Sequence, residues 1–211
     1  MLTTLTKMDE LIKKDHCYLD ESDECVFFGE YFPSEHPSWR EQPINSLIHN
    51  IKKCPSQKSS PYYSYKTRDI NRVGETLKKW DLKSFIIVPV PPSKLKTDPL
   101  YDDRLIQILD IGAPYYKELI VLKESRETFH ESSGKRLSPD ELKEKLEIDE
   151  DYIRKNNKPI VIFDDVITTG SHYKAIKNMI LSINPNTIVY GLFIARRKPY
   201  LINSQYLSSY L

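Results

Sequence analysis

The stretch Lys158-Pro159-Ile160-Val161-Ile162-Phe163-Asp164-Asp165-Val166-Ile167-Thr168-Thr169-Gly170-Ser171 runs from an apolar block through two adjacent carboxylates into a small, hydroxyl-rich loop. The block is short, β-branched and unbroken, as expected for a strand of a parallel sheet covered on both faces. Beyond the loop, Ala175, Ile176, Met179 and Ile180 recur at the spacing of a core-facing helical stripe. Residues 168–171 are therefore expected at a helix N-terminus, where unpaired backbone amides and the positive end of the helix dipole favour a phosphate. Gly170 lets the backbone turn and approach closely, and Thr168, Thr169 and Ser171 add hydroxyl donors. Two acids followed by an anion-binding loop suit a phosphorylated sugar, its diol on the acids and its phosphate on the loop.

Working outward, three more apolar blocks read as core strands: residues 85–90, 119–122 and 187–194. Helical faces lie between them, marked by Ile70, Val73, Leu77 and Trp80, and by Leu105, Ile106, Ile108 and Leu109. Ser138-Pro139-Asp140-Glu141 starts another helix with a capping-box pattern and proline at its first position. This alternation predicts an α/β fold with a doubly wound parallel sheet, whose ligands bind beyond the carboxyl ends of the strands.

Three loops fall at that end. One carries Pro89, Pro91, Pro92, Ser93 and Lys94, stiff enough to hold a lysine toward an anion and a candidate for a cis X-Pro bond. The second, residues 123–140, is long and polar, the pattern of a lid or a disordered link, and holds Arg126, His130 and Lys135. The third is the double-Asp loop itself. Arg196 and Arg197 follow the last strand and point to the same rim.

The N-terminal part is less regular. Leu2, Leu5, Met8, Leu11 and Ile12 have helical spacing, residues 25–32 read as an aromatic strand, and Ile44, Leu47, Ile48 and Ile51 define a helix face. Trp39 and Arg40 stand out in the polar loop between strand and helix, read as a surface loop pinned by one aromatic. A polar connector at residues 55–61 divides residues 1–60, a small appendage or hood, from a main domain at residues 61–211. Tyr62, Tyr63 and Tyr65 after it are read as packing residues with a wet edge in preference to a base-stacking platform.

A chain of 211 residues with 39% hydrophobic and 29% charged residues can bury one substantial core. A formal net charge of +1 gives no bulk reason to infer nucleic-acid binding. No apolar run suits a signal peptide or a membrane span, so a cytoplasmic location is expected. Cys17, Cys25 and Cys54 form an odd set without close pairing, against a disulfide framework or a zinc ribbon. With His16, His36 and His49 nearby, a mixed metal site stays open beside the plainer reading of reduced thiols.

Other uses of the two acids fit less well. A receiver-type pocket would not be trailed at once by a phosphate loop, a haloacid-dehalogenase-like site needs Asp-x-Asp, and a kinase-type nucleotide loop needs Gly-x-x-x-x-Gly-Lys. Residues 161–170 resemble the phosphoribosyl diphosphate (PRPP) signature of type I phosphoribosyltransferases. Similarity to the competence-associated ComF group extends from about Tyr65 to Pro199. It takes in Val88-Pro89-Val90-Pro91-Pro92-Ser93-Lys94 and Ile194-Ala195-Arg196-Arg197. That group's four-cysteine zinc module is missing from the N-terminal part.

The resemblance implies that Asp164 and Asp165 accept hydrogen bonds from the ribose hydroxyls and that Thr168, Thr169, Gly170 and Ser171 cradle the 5′-phosphate. It implies that Pro92, Ser93 and Lys94 face the pyrophosphate, with Arg126 and Lys135 closing over the leaving group. Magnesium would be held through substrate oxygens near Asp164 and Asp165, with no direct protein ligand. The implied reaction is phosphoribosyl transfer: a nitrogen nucleophile displaces pyrophosphate at ribose C1, with Asp164, Asp165, Lys94 and Arg126 as the catalytic set. The alternative is a PRPP- or nucleotide-sensing regulatory or adaptor protein without turnover, linked to DNA processing by analogy alone. Expected partners are PRPP and an acceptor, with nucleic acid only by that analogy, no membrane, and a homodimer left open.

Overall fold

The computed structural model describes residues 4–125 and 137–199. The apolar block of the double-Asp stretch is the strand Ile160–Ile167, here β6. Every residue of it is buried except Asp164, which is half-buried. Alternate side chains of a strand point to opposite faces, so such uniform burial means that both faces of the sheet are covered there.

β6 sits within a five-stranded sheet of order β1-β2-β7-β6-β3, comprising β1 (Thr6–Lys7), β2 (Glu24–Tyr31), β3 (Ile86–Pro89), β6 and β7 (Val189–Arg197). The pairs β2–β7, β7–β6 and β6–β3 are parallel, and only β1 runs antiparallel to its neighbour β2. The architecture is thus a mixed α/β fold with a mostly parallel central sheet flanked by helices.

Two strand expectations change. Residues 119–122 do not join this sheet: β4 (Ile120–Leu122) pairs antiparallel with β5 (Leu146–Ile148) in a separate two-stranded ribbon. Its middle residue Val121 is 43% exposed, so the segment has one buried face and not the two that a central strand presents. The place beside β7 is taken by β2, from the stretch assigned to the N-terminal appendage, through pairs running from Glu24↔Tyr190 to Tyr31↔Arg197. The helix expected near the N-terminus is shorter than its pattern suggested: Thr6 and Lys7 pair with Phe27 and Val26, and α1 is only Glu10–Lys13, capped by Asp9.

The other helices follow their patterns more closely. They are α2 (Pro43–Ile51), α3 (Ser64–Leu77), α4 (Arg104–Gly112), α5 (Pro139–Glu144), α6 (Glu150–Lys155) and α7 (Ser171–Ile183). The stripe Ala175, Ile176, Met179 and Ile180 of α7 is buried throughout. Ser138 caps α5 with the full reciprocal box to Glu141, satisfying two amides that have no partner inside the helix. Trp80 lies past the end of α3, 39% exposed, with its ring against Phe28.

α3 and α4 approach closely because each offers a glycine at the contact. A Cβ on Gly74 would stand 2.6 Å from Ile111 Cβ, and one on Gly112 would stand 2.7 Å from the Gly74 carbonyl oxygen. That contact sets where α4, and with it Arg104, begins relative to the sheet. Among the described residues no peptide bond is cis, so the proline-rich loop after β3 turns with trans bonds only. No helix among them is long and apolar enough to cross a membrane.

Candidate functional site

The site is created by unequal strand lengths. β6 pairs with β3 as far as Phe163, where Val90 N–H closes the last bond to the Phe163 carbonyl. Beyond that point β6 continues against β7 alone, through Asp164↔Phe193, Val166↔Ala195 and Ile167↔Arg196. The chain after β3 turns away over Pro91 and Pro92, and a crevice opens beside Asp164 at the carboxyl end of the sheet.

A cavity of about 330 Å³ occupies this crevice, within the size range of small-molecule sites. Its wall includes Asp164, Pro92, Lys94, Tyr101, Arg104 and Ile120. The structure thus brings together Asp164, Pro92 and Lys94 from the residues singled out in the sequence. Ser93 and residues 168–171 do not line this cavity. Arg126 and Lys135 lie outside the described residues.

The two acids have different surroundings. Asp165 is 3% exposed and is held by three cationic contacts: Lys52 Nζ at 2.9 Å from Oδ1, and Arg104 Nε and Nη2 at 2.8 and 2.7 Å from Oδ2. Its Oδ1 also accepts the Val166 N–H at 2.6 Å. Burial opposes its ionisation, but Lys52 and Arg104 outweigh that and hold the carboxyl below the usual range. Among the described residues Asp164 has no comparable clamp: burial, then repulsion from Asp165, pushes its carboxyl up to about 7. Two neighbouring carboxyls are driven apart, one fixed as an anion and one able to gain or lose a proton near neutrality.

Arg104 carries the network further. Its Nη1 donates to Asp102 Oδ2 at 2.8 Å, and Asp102 Oδ1 accepts from the almost fully buried Lys66 at 2.6 Å. A cation in the first turn of α4 opposes the helix dipole, and it is retained here between two carboxylates that supply the stronger field. Lys52, Lys66, Asp102 and Arg104 were not foreseen. The one sequence signal for them is an arginine at a helix start directly behind paired aspartates; their partners are too distant in sequence to read.

Gly170, at φ +86°, makes the turn into α7 and is the only described residue in the left-handed region. The loop before it is covered on one side by the chain's own N-terminal segment. Tyr18 N–H donates to the Thr169 carbonyl at 3.0 Å, and the Leu19 side chain lies 3.0 Å from where a Gly170 Cβ would be. The fully buried His16 donates from Nδ1 to the Thr168 carbonyl, which fixes its tautomer because a carbonyl only accepts. Burial is the main cause holding His16 below its ordinary pKa, and its Nε2 is enclosed without a partner among the described residues.

Arg196, expected at the rim, is 5% exposed and tied to Asp15 and Glu30. It anchors the segment that leads to His16. Of the cysteines, Cys25 is buried in the sheet and its thiol is pushed up to about 12 by burial, the behaviour of an inert core thiol.

The chemistry available is therefore that of a cleft whose wall carries the Asp164 carboxyl, able to titrate near neutrality, with Asp102, Asp103 and Glu118 beside the cations Lys94, Lys96 and Arg104, next to a helix N-terminus entered through a left-handed glycine. Comparison with protein-family models and with curated proteins finds no match to this chain.

Proposed function

We propose that the chain is a PRPP-binding protein of the type I phosphoribosyltransferase kind and that it transfers the phosphoribosyl group to a nitrogen nucleophile with release of pyrophosphate. The observation that carries the reading is the placement of Asp164. It stands in the open crevice one residue past the last β3 pair, on the strand that runs through Gly170 into α7. A ribose on Asp164 would have the amide end of α7, a few residues further along the chain, for its 5′-phosphate and Lys94, on the wall of the same cavity, for its diphosphate.

In this reading Asp165 acts through its fixed charge and position, since its oxygens are taken up by Lys52 and Arg104. Asp164 accepts hydrogen bonds from the sugar hydroxyls and so orients them. Lys94 balances charge on the departing pyrophosphate, and Arg126, outside the described residues, is assigned to closing over it. The donor set fits magnesium in kind, because hard oxygen atoms and a diphosphate suit that ion. Bound there, it would supply charge neutralisation on the leaving group. Most of the rate enhancement is then positioning and preorganised charge.

The test is calorimetric titration with PRPP in the presence of magnesium, for the wild type and Asp164→Asn. Saturable binding that is lost in the variant, with the fold intact, is expected; equal affinity in both would remove the ribose contact. Pyrophosphate release against a panel of bases and amines then separates transfer from mere sensing.

A further inference from the structure

A second cavity, about 440 Å³ in volume, lies between the loop after β2 and the paired helices α2 and α3. Its wall carries two aromatic rings, Trp39 and Tyr65, and two guanidinium groups, Arg40 and Arg68. His49 and Ser46, both exposed on α2, add polar groups that can donate hydrogen bonds. Among the described residues no aspartate or glutamate lines it.

These groups are held by buried supports. Asn45, 2% exposed, donates from Nδ2 to the Trp39 carbonyl at 3.0 Å and clamps both backbone groups of Phe32, which fixes the backbone that carries the Trp39 ring. The Arg68 guanidinium is oriented by two bonds to Asp69, itself 1% exposed and steadied by Asn50 at 2.7 Å. So oriented, Arg68 stacks 4.8 Å from the Tyr65 ring centre, and Lys53 stands 5.1 Å from the same ring. Tyr62 and Tyr65 are 65% and 41% exposed, so the expectation that they serve as packing residues does not hold for these two.

Cations beside exposed rings, on a wall without carboxylates, recognise an anion that also carries a planar ring. A phosphate or carboxylate alone would use Arg40 and leave the ring walls uncovered. A neutral ring would leave Arg40 unused, and Arg40 has no ion-pair partner among the described residues. We propose that this cavity binds a nucleotide, its base against Tyr65, Arg68 and Trp39 and its phosphate on Arg40, either as a free nucleotide or as a unit of a single strand. The proposal does not rest on PRPP binding at Asp164.

Trp39 reports on its own cavity. The chain has two tryptophans, so Trp80→Phe leaves Trp39 as the sole indole. That protein is titrated with AMP and UMP in one arm and with short oligo(dA) and oligo(dT) in the other, following Trp39 fluorescence. Saturable quenching is expected, weakened about tenfold or more by Arg40→Ala and by Tyr65→Ala, as loss of a charged contact or a stacking ring implies. Quenching by mononucleotides identifies free nucleotide as the source; quenching by oligonucleotides alone identifies a single strand. Asp164→Asn must leave it unchanged, because a nucleotide lodged in the Asp164 cavity would respond to that variant and not to Arg40→Ala. No quenching by either class at millimolar concentration, or quenching indifferent to Arg40→Ala, overturns the proposal. Arg40 is exposed, so its removal leaves the fold available for the measurement.

Discussion

Lys52 Nζ, at the C-terminal cap of α2, lies 2.9 Å from Asp165 Oδ1 on the central strand β6. The N-terminal sixty residues therefore contribute a charge to the site as well as a strand to the sheet. The two partners are unequal: the Lys52 side chain is 42% exposed, whereas Arg104 on the other side of Asp165 is 19% exposed.

That inequality predicts a ranking. Arg104→Met removes the group shared by Asp165 and Asp102 and leaves buried carboxylates undercompensated, which costs about 3–5 kcal/mol for a broken buried pair. Lys52→Met removes a half-solvated partner and costs about 1 kcal/mol. Thermal denaturation should show the arginine variant lower by roughly 10 °C and the lysine variant by only a few degrees. Equal losses would mean that Asp165 depends on the exposed partner as much as on the buried one.

Asp164 predicts a pH dependence of opposite sense to a salt-bridged carboxylate. Its folded pKa, raised to about 7 from 3.8, makes the folded state bind more protons than the unfolded chain between those values. Stability from this group is present below the unfolded pKa and falls with rising pH by about 1.4 kcal/mol per unit until the folded pKa is passed. His16 acts the other way: its lowered pKa makes the unfolded chain bind more protons, so its contribution is lost on acidification below the unfolded value of 6.5. The two are separated by comparing wild type with Asp164→Asn, which mimics the protonated acid. The variant should gain on the wild type from about pH 4 to 7 and hold a constant lead above it. A pH-independent difference in urea unfolding would refute the raised pKa.

How much of this was legible depended on how local the signal was. β6, the α7 stripe, the Ser138 capping box and the turn at Gly170 were readable because period, cap and glycine act within a few residues. Residues 119–122 misled because a short apolar run looks the same in a central strand and in a one-faced ribbon, and only the exposure of Val121 separates them. β2 could be read as a strand, but its place beside β7 could not, since parallel pairing across most of the chain leaves no local mark. The Asp164–Asp165 pair was visible as chemistry. Its division of labour was not, because it comes from Lys52 and Arg104, 113 and 61 positions away from Asp165.

Gly170→Ala tests whether the turn into α7 is held by backbone conformation or by contact. At φ +86° an alanine is strained by about 1–2 kcal/mol whatever surrounds it. The new Cβ would also meet the end of the Leu19 side chain, which can shift. Leu19→Ala should therefore not rescue Gly170→Ala in denaturant unfolding. Full recovery in the double variant would show that crowding, and not the dihedral, demands glycine.

Asp23 decides whether the N-terminal segment stays on the loop. It is fully buried and binds Lys174 at 2.5 Å and Lys177 at 2.6 Å, both on α7, while accepting the Asp20 N–H at 2.8 Å. Through it the chain from His16 to Asp23 is tied to the helix whose N-terminus the loop serves. Asp23→Asn leaves Lys177 in a buried place without its counter-ion, a loss of about 3–5 kcal/mol. The effect should also be local. The Tyr18 N–H, bonded to the Thr169 carbonyl, should exchange with solvent faster by more than the global destabilisation accounts for, with the Ile162 amide of β6 reporting the global part. If both amides accelerate by the same factor, the segment opens only when the whole protein does, and Asp23 is a fastening of the fold and not of the loop cover.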